Sequence, residues 1–249
     1  MRETVEVTGV VSFSAPTGEY DRRVVIITRE LGRISAFAQG SRKPTSQLVA
    51  ACRTFTFAKF TLYPGKTAYR VLGAQIVEPF DGMSQDLDAM TYGAYLLELA
   101  GFFTEEGVEA GEVVNLLYLS LKALLNKNLE NRLIRTIFEL RILAINGEAP
   151  QVFECVYCGK KLLEGIFIMK KHGIGCKDCF PPMEGDTCLD ASAVYAMQYI
   201  ESAPLSKLYT FKLSSRVLAD IADVMRRYYR VYINHTFKTL DMLDTDLFD

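Results

Sequence analysis

The chain opens in alternation. "VEVTGVVSF" sets Val5, Val7, Gly9, Val11 and Phe13 on one face, the period of two that predicts a half-buried strand. "RRVVIIT" is a second run rich in β-branched residues, and "GRISAFAQG" a third. "FTFAKFTLY" and "AYRVLGAQIV" are two more, joined by Pro64-Gly65-Lys66, which has the chemistry of a tight turn. Five short strands, with a longer polar connection between the third and fourth, predict a small five-stranded barrel such as an OB-fold. An SH3-like barrel or an open meander would give the same pattern.

After Pro79 the period lengthens. "SQDLDAMTYGAYLLELAGFF" places Leu87, Tyr95 (or Ala94), Leu97 and Phe102 near helical spacing, with Ser84 as N-cap. "GEVVNLLYLSLKALLNKN" and "LENRLIRTIFELRILAINGE" are stronger patterns, and Leu133, Ile137, Leu140 and Ala144 form one stripe that Gly147 and Pro150 stop. Stripes this wide predict bundle core rather than a cofactor site. A cysteine-rich segment follows. "DASAVYAMQYIES" then predicts a short helix ending before Pro204, and "SSRVLADIADVMRRYYRVYINHTF" a long one capped by Ser214 or Ser215. The fold class is α+β and multidomain: an OB-fold-like β-barrel over 1–79, a helical domain over 80–150 and 190–249, and an inserted four-cysteine zinc module over 151–189.

Composition changes this picture little, and charge changes it more. At 249 residues, 49% hydrophobic and 23% charged, the chain is ordinary for globular protein that divides into two or three units. "MRETVEVTGVV" lacks the apolar run of a signal peptide, and no apolar stretch approaches a membrane span. A cytoplasmic location follows, where paired cysteines are more often metal ligands than disulfides. The net charge of −2 hides an asymmetry. Residues 1–79 carry eleven Lys/Arg against six Asp/Glu, and residues 80–150 five against eleven. Such a split suggests that the two parts face different partners.

Cys155, Cys158, Cys176 and Cys179 stand as Cys-x2-Cys-x17-Cys-x2-Cys, the spacing of a four-thiolate zinc site. Each pair makes a tight turn that aims two sulfurs at one point, and Gly159 supplies the positive φ that turns backbone N–H groups toward them. Four cysteines close the coordination shell, so the predicted Zn²⁺ is structural rather than catalytic. His172 could substitute as a ligand, though a solvated loop histidine is the simpler reading. Lys160, Lys161, Lys170, Lys171 and Lys177 offset the charge of the thiolates or touch a phosphate backbone. Cys52 and Cys188 are isolated and read as small half-buried hydrophobes.

Gly65-Lys66-Thr67 tempts a phosphate-loop reading, but Phe60 stands where the first glycine is needed and the segment joins two strands. No other catalytic motif appears, and two histidines, His172 and His235, make a triad hard to assemble. The basic residues Arg22, Arg23, Arg29, Arg33, Arg42 and Lys43 gather around the second and third strands and the "GSRKP" loop. Tyr20, Phe37, Phe55, Phe57, Tyr63 and Tyr69 lie in the same unit, and small barrels bind single strands by joining a cationic groove to stacking platforms. Phe55 and Phe57 are read instead as core. Arg226, Arg227 and Arg230 form a second cluster on the last long helix, read as a solvated helix face ahead of a second DNA contact.

"GEYDRRVVIITRELGRISAFAQGSRKPTS" resembles the N-terminal segment of the RecO family of bacterial recombination mediators, in its Gly-Glu-x-Asp-Arg turn and its Gly-x-Arg-Lys-Pro loop. "NLLYLSLKALLNKN", "FELRILAINGEAP" and "CVYCGK" are similar to that family's helical core and zinc knuckle, in order. The resemblance covers nearly the whole chain. It implies a nucleoid-associated, non-enzymatic DNA repair protein that binds single- and double-stranded DNA and anneals complementary strands. It implies RecR as a partner in loading RecA, and a pocket on the helical domain for the acidic C-terminal tail of single-strand DNA-binding protein. Carried over residue by residue, it implies DNA contact at Arg22, Arg23, Arg33, Arg42 and Lys43, and zinc ligation at the four paired cysteines. The chain departs from a strongly basic DNA binder in its net charge and acidic helices. A protein-interaction scaffold of a repair complex, with incidental DNA binding, is the competing reading.

Overall fold

The structure is a computed structural model that describes residues 3–183 and 186–245. One compact unit takes in the chain up to Asn126 and returns with the segment from Phe237; the other runs Lys127–Thr236. The first unit begins with five strands: β1 (Val5–Thr17), β2 (Asp21–Thr28), β3 (Gly32–Ala38), β4 (Phe57–Pro64) and β5 (Tyr69–Glu78). They close into an OB-fold-like barrel in the order β1-β2-β3-β5-β4. Its one parallel contact is β3 with β5, at Ala36↔Tyr69 and Phe37↔Arg70. The thirteen-residue β1 serves two neighbours, β4 along Val5–Val10 and β2 from Gly9 onward.

Alternation fills the barrel. Val7, Val11, Val24, Ile26, Ile34, Phe60 and Leu62 form its core, and the short helix α1 (Leu48–Ala51) adds Leu48 and Cys52 to it. Phe13 was expected on the same face as Val11, yet it is 52% exposed. The register of β1 against β2 shifts between Val11 and Phe13, a bulge that inserts Ser12 and turns Phe13 outward. Phe55 and Phe57 are buried as expected, but outside the barrel core cluster: the Phe57 ring packs tilted against that of Tyr118, centroids 4.8 Å apart.

Three helices complete the unit, α2 (Leu87–Phe102), α3 (Gly111–Leu124) and α7 (Lys238–Thr245). The cap of α2 is Asp86, which accepts the Ala89 N–H at 3.1 Å, rather than Ser84, whose hydroxyl turns back to the Asp81 carbonyl. Leu87 and Phe102 are exposed. The buried stripe is Ala89, Tyr95, Leu96, Leu97, Leu99 and Ala100. Glu98 accepts the N–H groups of Lys238 and Thr239 at 3.1 and 3.0 Å, capping α7 from α2.

The second unit holds α4 (Asn131–Ile145), α5 (Ala191–Ser202) and α6 (Ser215–Tyr232) around the cysteine segment. Leu133, Ile137 and Leu140 are buried as the stripe predicts. Asp190 caps α5 through Ala193 N–H at 2.9 Å, and Ser214 caps α6. Between α4 and α5 a small sheet of β6 (Gly165–Ile168), β7 (Gly173–Gly175) and β8 (Cys188–Leu189) runs in the order β7-β6-β8. No helix among the described residues is long and apolar enough to cross a membrane.

Candidate nucleic-acid interface and metal-binding cluster

Because successive strand residues point to opposite sides, the adjacent pair Arg22-Arg23 cannot act together. Arg22 shares the side of Val24 and Ile26; its Nη1 donates to Ser14 Oγ at 3.2 Å and its Nε is buried. Its charge pulls against the burial that pushes Cys52 up to about 11. Arg23 lies on the outer surface, exposed, with Nη2 3.4 Å from Ser35 Oγ. The registers then align a row across four strands: Arg23 opposite Phe37, Phe37 beside Arg70, and Arg70 opposite Tyr63. Phe37 is 41% exposed, and the Arg70 guanidinium sits 5.3 Å over the Tyr63 ring.

Two turns rise beside this row. The β1–β2 turn carries Thr17 and Gly18, the β4–β5 turn carries Gly65 and Ala68, and between them lies a cleft of about 580 Å³. Its walls include Phe37, Tyr63, Tyr69 and Arg70, with Asp21 and Gln39 as polar groups. Gly65 is required by close approach: a Cβ there would stand 2.1 Å from the Ala68 carbonyl. The Gly65-Lys66-Thr67 segment is thus a hairpin turn, as its strand context predicts. In barrels of this type the strand 2–3 face and the loops after strands 1 and 4 form the oligonucleotide side.

The "GSRKP" loop comes to the same end of the barrel. Gly40 N–H donates to Asp21 Oδ1 at 2.7 Å, and Arg42 N–H to the Tyr20 carbonyl at 2.9 Å. Arg42 Nη1 meets the Glu19 carbonyl at 3.0 Å, and Lys43 Nζ lies 5.4 Å over the exposed Tyr20 ring. Arg33 is exposed on β3, four residues along from Phe37, and packs beside Gly101 of α2. Arg29 is structural: its Nη2 donates to Asn115 Oδ1 at 2.7 Å and its guanidinium covers Phe57. Arg70 escaped the sequence reading because the parallel β3–β5 contact that brings it to Phe37 links residues more than thirty apart. The cations of α6 are differently placed. Arg226 and Arg227 both pair with Asp223, at 2.6 and 2.8 Å, and Arg230 is exposed.

The sulfurs of Cys155, Cys158, Cys176 and Cys179 all lie within 4.8 Å of one another, and could hold a metal ion. Gly159, at φ 69°, donates its N–H to the Cys155 carbonyl and lets the turn close. Cys158 and Cys176 sulfurs are 3.8 Å apart. Burial of Cys155 opposes its ionisation, but N–H groups aimed at its sulfur, that of Cys176 at 3.2 Å among them, outweigh this and lower its pKa to about 6. Hydrogen bonds with Cys158 and Cys176 push Cys179 up to about 12. Four anionic sulfurs this close repel, and only a cation between them lets all four ionise. Lys160 pairs with Asp178 at 3.3 Å and Lys177 with Glu164 at 2.6 Å. His172 takes no part in the cluster; its ring lies 3.8 Å from that of Tyr232. Cys52 is wholly buried and Cys188 exposed, so neither is half-buried as expected.

Known proteins match along nearly the whole chain. Residues 1–80 match the family model described as "Recombination protein O N terminal", and residues 84–241 the one described as "Recombination protein O C terminal". A DNA repair protein RecO of Acetivibrio thermocellus is 30% identical over 97% of this chain and 96% of its own length. One of Alkaliphilus metalliredigens is 27% identical over 96% and 98%, and one of Caldicellulosiruptor saccharolyticus 27% identical over 95% and 96%.

Proposed function

The chain belongs to the RecO family of DNA repair proteins, and from that premise we propose that it is a non-enzymatic recombination mediator that binds DNA on the outer face of its barrel. There it anneals complementary single strands and, with RecR, helps load RecA onto single-stranded DNA, taking single-strand DNA-binding protein by its acidic C-terminal tail on the helical domain. The observation that carries this reading is the row Arg23, Phe37, Arg70 and Tyr63, which alternates cation and ring at one strand spacing per step. Strands stand about 4.8 Å apart, a spacing on which phosphates and bases of a single strand can be met by turns. Arg42 and Lys43 extend the charge at one end and Arg33 at the other. Arg22, turned to the inner side and held by Ser14, adds its charge from behind this face rather than beside Arg23.

Zinc is the ion the cluster suits. Tetrahedral zinc with Zn–S bonds of about 2.3 Å sets sulfurs about 3.8 Å apart, the separation of Cys158 and Cys176. With four thiolates no position is left for water, so the ion supplies folding stability to 151–189 and no chemistry.

The test is oligonucleotide binding across a salt series. Affinity falls steeply with salt, and Arg42→Ala with Lys43→Ala flattens that fall. Binding by this double variant equal to that of the unaltered chain at every salt concentration would remove the loop from the interface.

A further inference from the structure

The cleft beside the row has a chemistry that phosphate binding alone does not use. Of its polar groups only Arg70 is cationic, while Asp21 is an acid, which repels phosphate. Rings make up part of its other walls: Phe37 on β3 and Tyr63 on β4, with Tyr69 at the head of β5 packed partly against the barrel core. At about 580 Å³ the volume falls in the range of small-molecule sites, about 300–1,000 Å³. Strand parity aims Asp21 and Phe37 to the same outer side, since Arg22 and Ala38 beside them face inward. Asp21 is held in place: its Oδ1 accepts the Gly40 N–H at 2.7 Å, and among the described residues no hydrogen bond takes up Oδ2.

From these groups we infer that the cleft is a slot for one unpaired base of a bound strand, with a preference for bases that carry an exocyclic amino group. The rings give a stacking surface that any base can use. The free carboxylate oxygen of Asp21 accepts from the amino group of cytosine, adenine or guanine, whereas thymine offers it only carbonyl oxygens and one ring N–H. Gln39 can donate or accept and does not cancel that bias. In a duplex these amino groups are engaged in pairing and the ring faces in stacking, so the slot reads single strands only. It therefore distinguishes a strand awaiting annealing from one already paired. The inference rests on the barrel face binding DNA at all.

The test uses three strands of equal length and charge, all sugar–phosphate without bases except at one central position, which carries cytosine, thymine or no base. The full chain is titrated with each at fixed salt. The expected order is cytosine tightest and the baseless strand weakest, the last by roughly ten-fold, the effect of one stacked base. Phe37→Ala, at an exposed position, brings all three strands together. Asp21→Asn keeps an oxygen for Gly40 N–H and replaces the free oxygen by a donor, so the preference turns toward thymine. Equal affinity for the three strands, with steep salt dependence retained, overturns the slot and leaves the phosphate-binding face standing. Binding of none of them, nor of ordinary oligonucleotides, takes both readings down. Titration with deoxycytidine monophosphate separates a strand from a free nucleotide: affinity equal to that for the cytosine-bearing strand assigns the cleft to nucleotides and overturns the inference.

Discussion

The barrel and the cysteine segment both carry exposed cations, and they hold several of those charges in different ways, although Lys171 lies over the Tyr157 ring as Lys43 lies over that of Tyr20. In the cysteine segment Lys160 and Lys177 are bound to Asp178 and Glu164, and on α6 Arg226 and Arg227 share Asp223. On the barrel, Arg23 leans on a serine hydroxyl, Arg42 on a carbonyl, and Lys43 and Arg70 on rings. Among the described residues none of these four pairs with a carboxylate. Neutral partners orient a cation without discharging it, so it remains available to phosphate; a carboxylate partner answers the charge from within. The two regions also differ in what closes them. The barrel has an apolar core of its own, while the strands β6, β7 and β8 are only four, three and two residues long.

That contrast breaks most visibly on removing the metal that the four cysteines are proposed to hold. Chelation, or Cys158→Ser, is expected to abolish amide protection across 151–189 in hydrogen exchange on the full chain, because metal binding in small cysteine domains supplies on the order of 10 kcal/mol. The barrel strands should keep their protection. Unchanged exchange in metal-free chain would mean that the sheet and its packing suffice.

Next in size is a pH effect confined to the second unit. Burial, opposed by the charge of Arg141, pushes Glu201 from 4.5 to about 8. Between those values the folded chain holds a proton that the unfolded chain has released, so stability falls as pH rises from about 4.5 through 8. Glu201→Gln should remove that fall and stabilise the unit by a few kcal/mol, about 1.4 per pKa unit at most. The gap between urea midpoints at pH 5 and pH 9 measures it; the same gap in the variant refutes the assignment.

Arg23→Ala with Arg70→Ala should lower the slope of log affinity against log salt for single strands by about 1.4, or about 0.7 per phosphate contact. Arg226→Ala with Arg227→Ala should leave it alone. Equal changes in both would dissolve the distinction between bound and available cations. The smallest effect is Asp190→Ala, which removes the cap of α5 and should cost about 1 kcal/mol, seen as faster exchange in its first turn alone.

The parts of this molecule that repeat locally could be read from its residues. Five strands, the tight turn at Pro64-Gly65, the stripe of α4 and the cysteine spacing all depend on neighbours within a few positions. Sites depend on distant ones. The sequence sets Arg22 and Arg23 in one basic cluster around the second and third strands, and strand parity turns them to opposite sides; Arg70 comes beside Phe37 only because β5 returns beside β3 in parallel. Phe13 left its predicted face because one residue, Ser12, is accommodated as a bulge, which alternation cannot foretell. Ser84 yielded to Asp86 as the cap of α2 because a single 3₁₀ turn intervenes, and caps are decided by one residue's backbone angles.

One strand also governs when the barrel can exist. β1 pairs with β2 on one side and with β4 on the other, so Val5 meets Leu62 across fifty-seven positions of chain. During synthesis the first strand must wait, with its far edge unpaired, until β4 has left the ribosome. The ring waits further for β5, which lies between β3 and β4. Hairpins β1–β2 and β2–β3 form early from local contacts, but the ring closes as one late, non-local event, slower than formation of the helices. The interval before closure is when this end of the chain is most exposed to mispairing, and the charged edge residues Glu6 and Lys59, which flank the closing seam, are placed to discourage it.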